Sequence, residues 1–325
     1  MSSKFKVNAM NDVVFECSVN ETILDAGARN GFHFESSCNN GQCGSCRTIL
    51  SKGNVEAVSE QLALSKQDID DGYILTCCCS PVRDIHIASE SLDRLKNINK
   101  LNLPCKISSI TMLNETVMEL VLRLPPKADF NFIEGQYIDL QNSKGVRRSY
   151  SIASNNGEGV IRLIIKKVKD GEFSQYLFED ARINDLLRLE GPKGTFYIRD
   201  KEEHIVFLVT GTGIAPVLSI LSALNSSSNL SNKKIDLYWG NRLSSEFFEL
   251  PNYSNLNLEV EKVISQPSST WNGKVGYVQD VFLGSNDSRP VSNIYACGSI
   301  KMINAVKGLF KEDSSKIFFD AFLKS

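Results

Sequence analysis

The sequence predicts three domains: a small α+β sheet domain carrying a cysteine-rich loop, an antiparallel barrel, and a parallel-sheet α/β domain. Three observations point there. Six of the nine cysteines lie between Cys38 and Cys79. Between Cys105 and Arg199, short alternating apolar runs are separated by Gly or Pro turns, the pattern of an antiparallel barrel. From His204 onward strand-like and helix-like runs alternate, as they do in a parallel sheet covered on both faces by helices.

Composition supports several separate cores. The chain has 325 residues, 42% hydrophobic and 23% charged, which excludes disordered, collagen-like and small disulfide-stapled classes. Thirty-six basic against thirty-eight acidic residues give a formal net charge of -2, so no bulk electrostatic case exists for nucleic acid or an anionic membrane. The opening Met-Ser-Ser-Lys-Phe-Lys-Val-Asn lacks an apolar core of signal-peptide length, and the expected location is the cytoplasm. Reducing thiol pools there disfavour structural disulfides, so nine cysteines argue for metal binding or redox chemistry. The stretch Ile205–Leu224 is apolar, but Gly, Thr, Pro and Ser interrupt it. It is expected as a buried strand, loop and helix, with no membrane span anywhere in the chain.

In order along the chain, Phe5–Ser18 alternates around Asn11-Asp12 and predicts a hairpin. Thr22–Asn30 carries a helical apolar stripe and stops before Gly31. After the cysteine loop come a strand at Arg47–Leu50, a helix-prone stretch near Ser59–Ile69, and strands around Ile74 and Asp84–Ala88. The first domain is set at residues 1–92. A polar, Lys/Asn-rich linker is expected at 93–102, a barrel at 103–201 and the α/β domain at 202–325. Barrel strands are expected at Lys106–Ile110, Val117–Leu124, Gln136–Leu140, Tyr150–Ala153, Val160–Lys167, Leu187–Leu189 and Thr195–Ile198. The last domain predicts strands at Ile205–Val209, Ile235–Trp239, Leu258–Val263, Ile294–Ala296 and Ile317–Phe319. Its helices are expected from Ile214, near Val278 and at Lys301–Phe310. The Ser/Asn run Asn225–Asn232 is expected as a loop.

Cys38-Asn-Asn-Gly-Gln-Cys43-Gly-Ser-Cys46, followed thirty residues later by Cys77-Cys78-Cys79, has the C-x4-C-x2-C…C spacing that holds a 2Fe-2S cluster. Four thiolates are needed because each iron completes its tetrahedron with two. Gly41, Gly44 and Ser45 let backbone N–H groups approach the sulfurs and tune the potential. A structural zinc favours paired C-x2-C hairpins instead. A Rieske centre needs two imidazoles, and His33, His86 and His204 are scattered. By spacing alone any of Cys77, Cys78 and Cys79 serves as the fourth ligand.

Two further motifs lie downstream. Arg148-Ser149-Tyr150-Ser151 opens a barrel strand, and Gly171-Glu172-Phe173-Ser174 starts a helix whose N–H groups suit a pyrophosphate. Thr210-Gly211-Thr212-Gly213-Ile214-Ala215-Pro216 joins a buried strand to a helix. It departs from G-x-G-x-x-G but places glycines and a first-turn proline where a phosphate is held. Cys297 ends a strand at the edge where open parallel sheets bind ligands.

Together these motifs resemble the ferredoxin reductase superfamily with an N-terminal plant-type ferredoxin domain. The resemblance covers essentially the whole chain and implies a β-grasp ferredoxin domain, an FAD-binding barrel and an NAD(P)H-binding domain. Leu75-Thr76-Cys77 matches the place of the fourth ligand, so the implied metal ligands are Cys38, Cys43, Cys46 and Cys77. For the flavin, Arg148 would pair with the pyrophosphate, Tyr150 pack on the isoalloxazine and Ser151 reach its N5 edge. Ser149, Lys166, Gly171, Phe173 and Ser174 would complete that site, and Phe322 would lie over the ring as an aromatic lid. For the dinucleotide the implied set is Gly211, Thr212, Gly213, Pro216, Gly240, Arg242, Cys297, Gly298 and Ser299, with Cys297 beside the nicotinamide. Ser151 and Cys297 are the expected catalytic pair. Arg242 is the only nearby cation after Trp239 and Glu246 follows, which favours NADH, with NADPH as the alternative.

Segments such as Gly135-Gln-Tyr-Ile-Asp-Leu140, Arg188-Leu-Glu-Gly-Pro-Lys-Gly-Thr-Phe196, Ser269-Thr-Trp-Asn-Gly273 and Phe318-Phe-Asp-Ala-Phe322 look like the CDP-6-deoxy-glucoseen reductases. Departures are Gly-Thr-Gly-Ile in place of Gly-Gly-Thr-Gly-Phe, and the third consecutive cysteine. Members of that family feed electrons to a pyridoxamine-phosphate-dependent CDP-4-keto-6-deoxyglucose 3-dehydrase, in 3,6-dideoxysugar synthesis for surface polysaccharide. The implied chain of transfer runs from nicotinamide to flavin to cluster to that protein partner. A reductase of a multicomponent oxygenase shares the domain order, and a redox-sensing binding module is the alternative of another class.

Overall fold

The computed structural model describes residues 3–199, 203–227, 233–285, 293–310 and 317–322. The chain divides into two compact units, Met1–Ile98 and Asn99–Ser325.

The first unit opens with the expected hairpin, β1 (Lys4–Asn8) and β2 (Val14–Ser18). Asn11 and Asp12 take φ of 57° and 58°, the left-handed conformation that matches the twist of a tight hairpin and that Asn and Asp tolerate best. Helix α1 (Ile23–Arg29) starts where Thr22 accepts from the Asp25 N–H, and it buries Ile23, Ala26 and Gly27. Then follow β3 (Arg47–Lys52), β4 (Val55–Ala57), α2 (Lys66–Asp70), β5 (Tyr73–Leu75), β6 (Cys79–Pro81) and β7 (Ile85–Ile87). The main sheet runs β2-β1-β7-β3-β5, with β1 and β7 parallel, and α1 packs on β2. That is a β-grasp. Its core holds Val7, Phe15, Ile23, Ile74, Ile85 and Ile87.

The helix expected across Ser59–Ile69 shrinks to α2, which Ser65 and Asp68 close with a capping box. The preceding residues are bound elsewhere: the Ala63 N–H donates to Gly41 O at 2.8 Å, and Gln61 Oε1 accepts from the Leu75 N–H at 2.7 Å. Residues 93–102 are more than a polar linker. A short turn at Asp93–Leu95 buries Leu95, and Leu101 and Asn102 already belong to the next strand.

In the second unit, β8 (Leu101–Met112), β9 (Val117–Arg123), β10 (Tyr137–Gln141), β11 (Arg147–Ser151), β12 (Ile161–Lys166) and β13 (Leu186–Lys193) are antiparallel in the order β11-β10-β13-β8-β9-β12. A bridge between Ile152 and Leu163 joins the two outer strands, so the sheet closes into a barrel around Ile107, Leu120, Leu122, Ile138, Leu140 and Leu189. Short helix α3 (Glu172–Gln175) follows β12. The strand expected at Thr195–Ile198 does not form. Gln136 Nε2 takes the neighbouring Gly194 carbonyl at 2.9 Å, and the Phe196 carbonyl lies against Gly135 so closely that a Cβ there would stand 1.9 Å away. The segment's backbone is used in packing rather than in a ladder.

The remaining chain forms β14 (His204–Thr210), α4 (Ile214–Ser226), β15 (Lys234–Asn241), β16 (Asn257–Ile264), β17 (Lys274–Val275), α5 (Val278–Gly284), β18 (Asn293–Ser299), α6 (Ile300–Leu309) and β19 (Ile317–Phe322). All neighbours are parallel, in the order β17-β16-β15-β14-β18-β19. Strand order reverses between β14 and β18, and that switch point is where open parallel sheets bind ligands. The apolar stretch Ile205–Leu224 is the buried β14 and α4. Among the described residues, no helix is long and apolar enough to cross a membrane. Part of the run Asn225–Asn232 lies outside the described residues.

Candidate functional site

The cysteine loop lies between α1 and β3, and the triplet Cys77–Cys79 follows β5, which is paired to β3. The four expected ligands form two sulfur pairs. Cys46 Sγ and Cys77 Sγ stand 3.2 Å apart. The Cys43 N–H points at Cys38 Sγ at 3.3 Å, and those two thiols hydrogen-bond to each other. Two thiolates on one tetrahedral metal, with bonds of about 2.3 Å, stand about 3.7 Å apart, so each pair suits one metal of a dinuclear centre. Among the described residues, no three His, Cys, Asp or Glu side chains converge on a single-ion position.

The electrostatics agree. In each pair one thiol is pushed up and the other down, because the neighbouring sulfur and burial let only one negative charge persist. Four thiolates require added positive charge, which a two-iron core provides. Backbone N–H groups of Cys43 and Ser45 already point at sulfur, at 3.3 and 3.4 Å. Gly41, at φ +78°, is confined: a Cβ there would lie 2.1 Å from Glu60 O and 2.9 Å from Cys78 Sγ.

On β11, Arg148 and Tyr150 lie opposite Leu140 and Ile138 and share a face, while Ser149 and Ser151 take the other. Tyr150 packs on the buried Phe173, ring centroids 5.9 Å apart, and burial pushes its phenol well up. Arg148 Nη1 donates to Arg147 O at 2.7 Å. Ser149 is drawn away, donating to Asp139 Oδ1 at 2.5 Å within a network of Asp139, Arg147, Glu190 and Lys193. Gly171 precedes α3, and Ser174 Oγ accepts the Val168 N–H at 2.8 Å. Lys166 is held by Glu246 at 2.5 Å. Burial would raise the Glu246 carboxyl, but Lys166 and the N–H groups of Arg242 and Leu243 outweigh it and keep it ionised.

The switch point gathers the remaining residues. The Gly211–Gly213 turn leads into α4, whose first-turn N–H groups have no partners within the helix and which carries Pro216 as its third residue. Cys297 is fully buried, in register with Val209 on one side and Asp320 on the other. Its thiol is pushed well above its ordinary range, first by burial and then by the Asp320 charge, so it stays neutral. The β18 turn is fitted closely to β14. The Ser299 N–H donates to Thr210 Oγ1 at 3.3 Å, and a Cβ on Gly213 would stand 2.4 Å from Cys297 O. Gly240 lies against Val278, Arg242 is exposed, and Phe322 stands opposite Ser299 at the end of β19.

Ser151 and Asp320 connect barrel and parallel sheet. Ser151 Oγ points at Asp320 Oδ2 at 3.4 Å, and both residues are buried. Asp320 was absent from the expected set, although a lone carboxylate inside Ile-Phe-Phe-Asp-Ala-Phe is a detectable signal. Trp239 was also missed: its indole N–H donates to Gly211 O at 3.0 Å and anchors the turn. Phe247 packs edge-on against Trp239 and stacks with Trp271, centroids 6.1 Å apart and planes 12° apart.

These features match three family models: a 2Fe-2S iron-sulfur cluster binding domain over residues 7–82, an oxidoreductase FAD-binding domain over 104–198, and an oxidoreductase NAD-binding domain over 207–308. The chain is 39% identical over 321 residues to the CDP-6-deoxy-L-threo-D-glycero-4-hexulose-3-dehydrase reductase of Yersinia pestis, covering 96% of each. It is 26% identical to the toluate 1,2-dioxygenase electron transfer component of Pseudomonas putida, over 90% of this chain and 88% of that one. In fold it resembles an Amycolatopsis cytochrome P450 reductase, with a TM-score of 0.78, 23% identity and 98% of each chain covered. The chain belongs to the CDP-6-deoxy-L-threo-D-glycero-4-hexulose-3-dehydrase reductase family, as an electron-transfer oxidoreductase with 2Fe-2S, FAD-binding and NAD-binding domains.

Proposed function

We propose that the chain takes hydride from NADH at the switch point and delivers single electrons to a pyridoxamine-phosphate-dependent sugar 3-dehydrase. The observation that carries the hydride site is the Ser151–Asp320 contact, which aligns the RxYS strand with the carboxyl edge of β18 and β19. The acceptor rests on the Yersinia relative, whose name specifies a 3-dehydrase.

An FAD held by the barrel would supply the conversion of one hydride into separate electrons of the kind a two-iron centre accepts. The chain's own residues position and enclose. Arg148 offers a guanidinium to a pyrophosphate, and Tyr150, backed by Phe173, presents an aromatic wall. Asp320 fixes the orientation of the Ser151 hydroxyl. Cys297, neutral and fully buried at the end of β18, leaves no thiolate to attack a nicotinamide ring bound nearby. Gly211–Gly213 at the start of α4 would hold the pyrophosphate of a dinucleotide, and the carboxyl ends of β15 and β16 would be available to its adenosine. Arg242 is exposed there, and Trp271 stands on Phe247. Arg242 is the only basic residue between Trp239 and Glu246, and a 2'-phosphate site usually needs more cations than one, which favours NADH.

The test is an NADH-driven assay with candidate dehydrases, scored for the deoxygenated sugar. Turnover with the dehydrase and none with oxygenase components is expected. The 26% likeness to a dioxygenase electron transfer component makes the reverse outcome the second reading.

A further inference from the structure

Three consecutive cysteines follow β5, and the ligand set uses only the first. Cys79 belongs to the sheet core: it opens β6, packs with Val7, Phe15 and Ile74, and donates its thiol to Gln61 Oε1 at 3.3 Å. Cys78 lies on the cluster side. It is fully buried in a small group with Cys46, Leu75 and Cys77, and its Sγ is 3.5 Å from Cys77 Sγ. Its sulfur also abuts the ligand loop, where a Cβ on Gly41 would stand 2.9 Å from it.

We propose that Cys78 is a second thiolate for the cluster, able to take the iron-ligand position of Cys77. The proposal rests on Cys38, Cys43, Cys46 and Cys77 being the resident ligands. The Cys78 backbone is tied down: its N–H donates to Leu75 O at 2.9 Å and its carbonyl accepts from Val58 at 2.8 Å. The motion needed is therefore a side-chain rotation. A hop between staggered rotamers moves a cysteine sulfur by about 3 Å, close to the 3.5 Å separating the two sulfurs. In the exchange the iron bond to Cys77 Sγ breaks and one to Cys78 Sγ forms. The Cys78 thiol gives up its hydrogen bond to Glu60 O, at 3.4 Å, as it rotates, and its proton passes to the leaving Cys77 sulfur across their contact. Net charge is conserved and no electron moves.

The test uses the full-length chain, reconstituted anaerobically with iron and sulfide, as wild type, Cys77→Ala, Cys78→Ala and the double variant. Iron and acid-labile sulfide per chain are measured, with the EPR spectrum after reduction. Cys77→Ala is expected to retain wild-type iron with shifted g values, Cys78→Ala to match wild type, and the double variant to lose the cluster. An iron-free Cys77→Ala, or a double variant retaining as much iron as Cys77→Ala, overturns the proposal. If Cys77→Ala does not fold, Cys77→Ser with and without Cys78→Ala replaces it, and identical spectra for that pair overturn the idea. Failure of the wild type itself to bind iron strikes the ligand assignment instead.

Discussion

The cysteine loop and the switch point are built in opposite ways. Three of the four proposed cluster ligands lie within the nine residues Cys38–Cys46, so one loop conformation sets their geometry. The proposed hydride site takes Ser151 from a barrel strand and Asp320 from the last strand, 169 residues apart, with Cys297 between them in sequence. A local site fails when one ligand is lost; a site assembled from distant strands loses rate when its geometry loosens. Substitutions can break or sharpen that contrast.

The largest effect is expected from Cys46→Ser, which should abolish the cluster and electron delivery to the acceptor while NADH still reduces the flavin. Iron content and stopped-flow flavin absorbance test this, and parallel loss of both activities would show that the two sites are not separable. Next, Asp320→Asn and Ser151→Ala should each slow flavin reduction by about 100-fold, the scale of a misplaced reacting group, with flavin content held. Their double variant should add little, because the pair acts as a unit. Cys297→Ala should slow the same step while flavin content holds, and stopped-flow rates check it.

A smaller effect, about ten-fold, is expected in KM for NADH from Trp271→Ala. Reduced nicotinamide mononucleotide, which lacks adenosine, should react equally with variant and wild type. The smallest concerns stability. Lys100 and Lys193 overcome burial and hold the Glu190 carboxyl at about 2, below its ordinary 4.5. Because the folded value is depressed, the stabilisation is full above about 4.5 and fades as pH falls toward 2. Glu190→Gln should lower the urea-unfolding midpoint modestly at neutral pH and leave it nearly unchanged near pH 2, so that the acid side of the midpoint against pH flattens.

The same contrast governs what is legible in sequence. The ligand spacing, the Asn11-Asp12 hairpin and the strand-helix rhythm after His204 are local patterns, and the structure contains each of them. Strands β4 and β6, of three residues each, pair only with one another and leave no periodic trace. The Thr195–Ile198 segment has a strand's alternation, yet tertiary packing on Gly135 takes its backbone out of any ladder. The partner of Lys166 is visible only when β12 and the loop after β15 are brought together, where it meets Glu246. The Ser149–Asp139 hydrogen bond is likewise set by the pairing of β10 with β11, which no local window contains. Trp239 and Asp320 matter through contacts that no local window contains.

The most direct test mixes anaerobic holoprotein with NADH in a stopped-flow spectrometer while samples are frozen for EPR. The expected course is bleaching of the flavin followed by a reduced two-iron signal, with the second phase absent in Cys46→Ser. Flavin bleaching with a permanently oxidised cluster in the wild type would contradict transfer through these four sulfurs.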